Sequence, residues 1–396
     1  MKNLRIFFLE NLLFWSSLYL RALTTVVTGG NAGFGFFMAV LIIKMLFFVL
    51  FYGIIILLNV FIKGRFYIMT KRDSKFELLR IFAMFVIIIS HLSFHGLVQH
   101  GYAENATFIN ERVNFALTHL GSTGVGIFFL LAGYFGIGSD NIHFKSLGRI
   151  CINVIIYSVL GLLGSVIYVG FIGAHIDAIS FISCFFPITS AVYWYASAYI
   201  LLMLLKPQIN LFVRKIKKSD YFVIILICFT IYSFASYLDS IYANILEGVF
   251  YYIVGAGIFL HVDKLTKIKP VFFFLAGVIS IILHSPVLAA ISFFMCFHNM
   301  KGFYNNKINI IAKSTFSIYL IHEHVLVRDI LWGYLFNGKI IMLDLPLYIC
   351  YCLLICICIF AGCMLIDFFI QFIFDLSVKS CLKLLRSCQS DKDMAV

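Results

Sequence analysis

The chain has 396 residues, 62% of them hydrophobic and only 12% charged, and its mean hydropathy is +1.02, a composition that no water-soluble globular domain approaches. Its formal charge of +12 would suggest nucleic acid in a soluble protein, but here the cations lie in loops between apolar stretches, where they report orientation across a membrane. These facts exclude a soluble domain and a nucleic-acid partner and predict an all-α, polytopic transmembrane helix bundle, with the lipid bilayer as its solvent.

In chain order, residues 1–68 form a membrane appendage. It holds a marginal amphiphilic stretch over 6–27, a glycine-rich linker over 29–35 and a strong span over 36–62, ended by Lys63 and Arg65. Glu10 and Arg21 interrupt the first stretch, which lacks the compact apolar core of a cleavable signal peptide. The run Met69-Thr-Lys-Arg-Asp-Ser-Lys75 reads like the beginning of a protein, so the appendage is either an accessory anchor or a misplaced start. No chemistry is expected in it.

The core is expected over residues 69–375, followed by a cytoplasmic tail over 376–396. Ten spans are predicted, at 81–98, 121–138, 150–172, 191–206, 220–236, 247–262, 271–284, 287–300, 314–332 and 343–370. The seventh and eighth are short and separated by Ser285 and Pro286, which fits a tight hairpin or a broken pair. With alternate loops placed inside, one set holds Lys145 and Arg149, Lys206 to Lys218, Lys264 to Lys269, Lys301 to Lys313 and the tail cations, while the other holds little besides Arg112 and Lys339. This asymmetry puts the amino end of the first core helix and the carboxyl terminus in the cytoplasm. The polar loops over 99–119 and 173–191 then face outward.

The first core helix carries the most informative spacing. Arg80 and His91 are eleven residues apart, so steps of about 100° bring them within about 20° of one face and roughly 16 Å along the axis. Glu77 and His95 fall within about 40° of His91 on the same stripe. A polar seam of this kind cannot face lipid and marks a functional site. A neutral imidazole held at mid-membrane can take a proton from a hydroxyl, so general base is the natural role for His91. Arg80, at the cytoplasmic edge, presents a planar fork suited to phosphate. Lys71, Arg72 and Lys75 read more simply as positive-inside anchors.

Further along, the glycines of Gly121-Ser-Thr-Gly-Val-Gly126 lack the Lys-Ser/Thr of a phosphate loop and are expected to let their helix approach the His91 helix closely. Lys145 and Arg149 form a second one-face cationic pair. Tyr193, Trp194 and Tyr195 fit an interfacial aromatic belt, with sugar stacking as the sharper alternative. In the ninth span His322 and Asp329 share one helical face, and His324 and Arg328 another. Glu323, one residue from His322 on a continuous helix, points away from it, so no His-Glu dyad is expected. These groups either form an ion-pair network or line an acceptor site. Five cysteines between Cys350 and Cys363 read as packing residues, and no metal site is expected.

Together, Glu77-Leu-Leu-Arg80 with His91-Leu-Ser-Phe-His95-Gly96, the run Gly124 to Tyr134, Tyr193-Trp-Tyr with Tyr199 to Pro207, and Ser317 to Arg328 resemble the acyltransferase-3 family, in particular its exopolysaccharide and cell-wall O-acyltransferase branch. The resemblance spans 69–375. It implies a ten-helix core in the plasma (inner) membrane, with no resident cofactor. That core would move an acyl group, commonly acetyl, from cytoplasmic acyl-CoA to a hydroxyl of a glycan or lipid-linked saccharide. On that basis His91 is the catalytic base, Arg80 a donor-binding group, and Lys145 and Arg149 basic residues near the donor entrance. Glu77, His95, His322, Glu323 and Arg328 are supporting or acceptor-side residues. The family often has adjacent arginines where this chain has Lys145 and Arg149, and the span over 36–62 exceeds the ten-helix plan. A transporter or flippase relaying protons through His91 is the rival reading, and a membrane scaffold the plainer one.

Overall fold

A computed structural model describes residues 72–172, 176–190, 192–237, 243–261, 268–333 and 338–393. The chain divides between Tyr67 and Ile68, and every described residue belongs to the second unit. The appendage, its expected span and Lys71 lie outside the described residues.

Among the described residues every regular element is a helix, and six helices or helix pairs are long and apolar enough to cross a membrane. The protein is therefore a multi-pass membrane protein. Each of the ten expected spans corresponds to helical structure, but not each is one helix.

The first, α1 (Ser74–His91), opens on Asp73, whose side chain accepts from the Lys75 amide. It runs on through a wider π turn over Leu92–Val98, closed by the Gln99 amide on the Phe94 carbonyl at 2.9 Å. Its amino end is tied to the distant segment before residue 309. Ser74 Oγ donates to Asn309 Oδ1 at 2.8 Å, and Lys75 Nζ donates to the His298 carbonyl at 2.9 Å. Lys75 thus caps a helix end, a role compatible with the anchor expected of it.

The stretch 99–119, expected as a polar loop, instead forms a 3-10 turn (Tyr102–Asn105) and the helix α2 (Phe108–Thr118), capped by Thr107. Two of its polar residues, Asn110 and Asn114, are buried inward partners, while Glu104, Asn105, Glu111 and Arg112 are exposed. Asn110 Nδ2 donates to the carbonyls of Ile341 and Leu343, both at 2.7 Å, and Asn114 Oδ1 receives Ser93 Oγ at 2.7 Å and Tyr348 OH at 3.0 Å. Asn110→Ala leaves two carbonyls without their donor, and a loss of about 1–3 kcal/mol is expected, read as a lowered Tm of the detergent-solubilised protein.

At the centre stands α3 (Leu120–Gly136), packed against α1 and against the helices over Ala243–His261 and Pro286–Asn299. Its glycines explain the closeness. A Cβ on Gly124 would lie 2.6 Å from the Ala83 carbonyl of α1, so this face meets the His91 helix backbone to backbone, as expected. The opposite face meets α8 (Ala243–His261), where Gly133 abuts the Tyr252 carbonyl and Gly255 abuts the Leu130 carbonyl.

Two spans differ from expectation in extent. The fourth, α6 (Trp194–Lys215), follows α4 (Phe144–Ile172) and the short α5 (Ala178–Ser183), and continues through Pro207. Lys206, counted among the loop cations, is therefore buried in the bundle. After α7 (Tyr221–Tyr237), the seventh and eighth spans form a hairpin of α9 (Pro270–Ile282) and α10 (Pro286–Asn299), turned at His284 with φ of 53°. Preceded by the short α11 (Asn306–Lys313), the ninth span breaks into α12 (Thr315–His322) and α13 (Val325–Gly333). The last helix, α14 (Leu345–Asp393), runs unbroken past the expected start of the tail. Cys352, Cys356 and Cys363 are buried along one of its stripes, and Cys350 and Cys358 are exposed.

Candidate active site

His91 ends α1 at the point where that helix passes the break between α12 and α13. The break is what the sequence conceals. α12 stops at His322, and Glu323 leaves the helix with φ of −100° and ψ of 5°. The expectation that Glu323 points away from His322 assumed a continuous helix, and the turn overturns it. His322 Nε2 and Glu323 Oε2 both lie 3.0 Å from His91 Nδ1. Only the His322 contact has hydrogen-bond alignment. Glu323 Oε2 sits beside it as a charge, buried and without a hydrogen-bond donor among the described residues.

The network assigns the tautomers. The Ile318 carbonyl can only accept, and it lies 2.6 Å from His322 Nδ1, so that nitrogen carries the proton. Neutral His322 then offers Nε2 as an acceptor, and His91 donates to it from Nδ1. The lone pair of His91 is left on Nε2, which has no hydrogen-bond partner among the described residues, while the side chain keeps 19% of its surface accessible. A base whose far nitrogen is held by an acceptor and a carboxylate has the arrangement of a histidine in a hydrolase triad.

The surroundings hold this geometry. Arg328 Nη1 donates to Glu323 Oε1 at 3.2 Å, and His95 Nε2 lies 3.6 Å from the same oxygen. His95, brought round by the π turn, stands with its ring 5.3 Å from that of His91 and its Nδ1 2.7 Å from Gln99 Oε1. Tyr193 is fully buried and donates to the Leu320 carbonyl at 2.9 Å, fixing the last turn of α12. It is a core residue rather than part of an aromatic belt, and Tyr195 likewise packs on Phe129 and Tyr319. His324, expected to share a face with Arg328, instead bonds the Ser158 carbonyl at 2.9 Å while its Nδ1 receives the Leu326 amide at 3.3 Å, capping α13. Asp329 is 76% exposed and does not join His322.

At the other end of the stripe, Arg80 Nη1 is 2.5 Å from Glu77 Oε1, and Arg72 reaches the same oxygen at 3.4 Å. Arg80 keeps 29% of its side-chain surface accessible, whereas Glu77 is buried. Lys145 and Arg149 are exposed on the first turns of α4. No hydrogen bond or ion pair among the described residues joins them to Arg80 or to the histidine cluster. The structure thus brings His91, His95, His322, Glu323 and Arg328 together, pairs Glu77 with Arg80 on the same helix, and leaves the two α4 cations apart.

Sequence reasoning misread Tyr193 as interfacial and missed the Ile318 carbonyl and the α12–α13 break. The doublet His322-Glu323 followed at once by His324 was the available signal, because three adjacent polar groups cannot share one face of an apolar helix.

The acyltransferase-3 family model, described as an acyltransferase domain, matches residues 73–367. No curated protein and no solved structure gives a match. The matched stretch begins at the cap of α1 and ends within α14, so it takes in both ends of the Arg80–His91 stripe and the broken ninth span. The chain belongs to the acyltransferase-3 family.

Proposed function

We propose that this membrane acyltransferase is an O-acyltransferase. It takes an acyl group, acetyl in the first instance, from cytoplasmic acyl-CoA and delivers it to a hydroxyl of a cell-surface or lipid-linked glycan. The observation that carries the reading is the lone pair left on His91 Nε2 by the chain of hydrogen bonds from the Ile318 carbonyl through His322.

In this mechanism the acceptor hydroxyl approaches His91 Nε2 and gives up its proton as the oxygen attacks the thioester carbonyl carbon. The Glu323 carboxylate, 3.0 Å from Nδ1, stabilises the imidazolium as it forms. Collapse of the tetrahedral intermediate breaks the carbon–sulfur bond, and the proton on Nε2 passes to the departing CoA thiolate. Arg80, with Lys145 and Arg149 nearer the surface, receives the donor's phosphates, and the amino end of α1 faces the cytoplasm, as the loop charges require. The alternative acyl-His91 intermediate needs the same free Nε2.

Arg80→Ala is expected to raise KM for acyl-CoA by about 10- to 150-fold, the factor that ~1.5–3 kcal/mol for a hydrogen bond to a charged group implies. kcat should stay near its original value, because phosphate contacts are the same in ground and transition states. Steady-state kinetics on the purified variant check this, and Arg80→Lys should restore little, since a lysine lacks the fork.

The reading itself is tested by incubating the purified protein in lipid nanodiscs with labelled acetyl-CoA and an extracted glycan lipid, then resolving free CoA and labelled glycan by chromatography. Equal amounts of both are expected. Intact thioester, together with saccharide moved across the bilayer in vesicles, would favour the transporter.

A further inference from the structure

The three atoms that meet at the α12–α13 break also have the composition of a metal centre. We propose that His91 Nδ1, His322 Nε2 and Glu323 Oε2 form a binding site for zinc or a similar late divalent cation, whose occupancy switches acyl transfer off.

The geometry is close to what such an ion needs. One ligand atom from each of the three residues lies within 4.8 Å of the others, and His91 Nδ1 is 3.0 Å from both His322 Nε2 and Glu323 Oε2. Tetrahedral zinc with bonds of about 2.0–2.1 Å sets its ligands roughly 3.3 Å apart, so these pairs open by only a few tenths of an ångström. Two imidazoles and one carboxylate, completed by a water in the fourth position, is a zinc donor set. Magnesium and calcium demand oxygen ligands instead.

Two further observations point to a cation. Glu323 Oε2 is a buried carboxylate oxygen with no hydrogen-bond donor, aimed at the two imidazoles, and the residue is only 6% exposed. Such an oxygen is costly to bury without a positive partner. The outer contacts are also those that orient metal ligands: His322 donates its other ring nitrogen to the Ile318 carbonyl, and Arg328 fixes the remaining oxygen of Glu323. Arg328 is at the same time a like charge beside the ion, so binding is reversible rather than structural.

Inhibition follows from the tautomer. A cation on His91 Nδ1 displaces the proton there, and the neutral ring then carries its proton on Nε2, the atom from which the base would act. This inhibitory half rests on His91 being the base; the binding half does not.

The test uses full-length protein in nanodiscs, stripped with a chelator and dialysed against zinc chloride, with bound zinc measured by elemental analysis. The intact protein should bind one equivalent that His322→Ala and Glu323→Gln each lose, that His119→Ala keeps, and that magnesium does not displace. Monodispersity on size exclusion qualifies each variant, and Glu323→Gln preserves the shape of the turn where His322→Ala does not. Unchanged zinc content in both cluster variants would overturn the proposal. Acyl transfer measured on the same samples separates the two readings. Activity in stripped protein that zinc abolishes and chelator restores supports the switch. Activity that zinc leaves intact, or that appears only with zinc, overturns it, and the second result also removes His91 as a metal-free base.

Discussion

His91→Ala lowers kcat/KM for acyl transfer by about 10²–10⁴-fold, the span that a positioned general base contributes. The loss falls on the chemical step. His91 makes its contacts with His322 and Glu323 at the end of α1 and is partly accessible, so its removal leaves the apolar packing of Leu79, Ile88 and Leu92 in place. Membrane abundance should therefore change little and Tm fall only by what the buried His322 Nε2 loses with its donor, about 1–3 kcal/mol, while CoA release collapses. A variant that retains the original rate would place the base elsewhere. One that binds acyl-CoA normally but turns over slowly is the expected phenotype, because Arg80, roughly 16 Å along the same helix, still holds the donor.

Gly133→Val gives the opposite phenotype. Gly133 faces the Tyr252 carbonyl, and Gly255 faces the Leu130 carbonyl, so α3 and α8 touch backbone to backbone at two successive points. A side chain there cannot be absorbed by a rotamer change, since what it meets is main chain. The helices must separate, and the variant is expected to lose at least about 3 kcal/mol, the upper end of overpacking in a well-packed core. The measurable result is a low Tm and poor recovery from membranes, with any folded fraction still active, because neither glycine touches the histidine cluster. Normal yield and thermal stability would contradict a backbone-to-backbone contact at Gly133.

What the sequence makes legible follows the physics of its helices. The α1 stripe is readable from Arg80 to His91 because a continuous helix converts spacing directly into direction, whereas His95 comes beside His91 through the π turn. The hairpin at Ser285-Pro286 is readable from its punctuation. Glu323 is not, since neither glycine nor proline marks the break at residues 323–324, and uninterrupted periodicity sends its carboxylate the wrong way. Partners far apart in the chain are silent for another reason. Tyr157 donates to Asp367 across 210 positions, and Asn110 reaches carbonyls 231 and 233 positions away. Nothing local in either member names the other. Tyr193 shows the same limit: beside Trp194 at a helix start it looks interfacial, and only the packing of α6 on α12 makes it a support for His322.

The most direct test of the central claim is mass spectrometry of surface and lipid-linked glycans from cells carrying the intact protein, its deletion, or His91→Ala at matched membrane abundance. Acyl transfer through His91 predicts a glycan that loses one acyl mass increment in both the deletion and the variant and regains it with the intact chain. Glycans that keep their acylation in all three, or lose it in the deletion but not in His91→Ala, would contradict it.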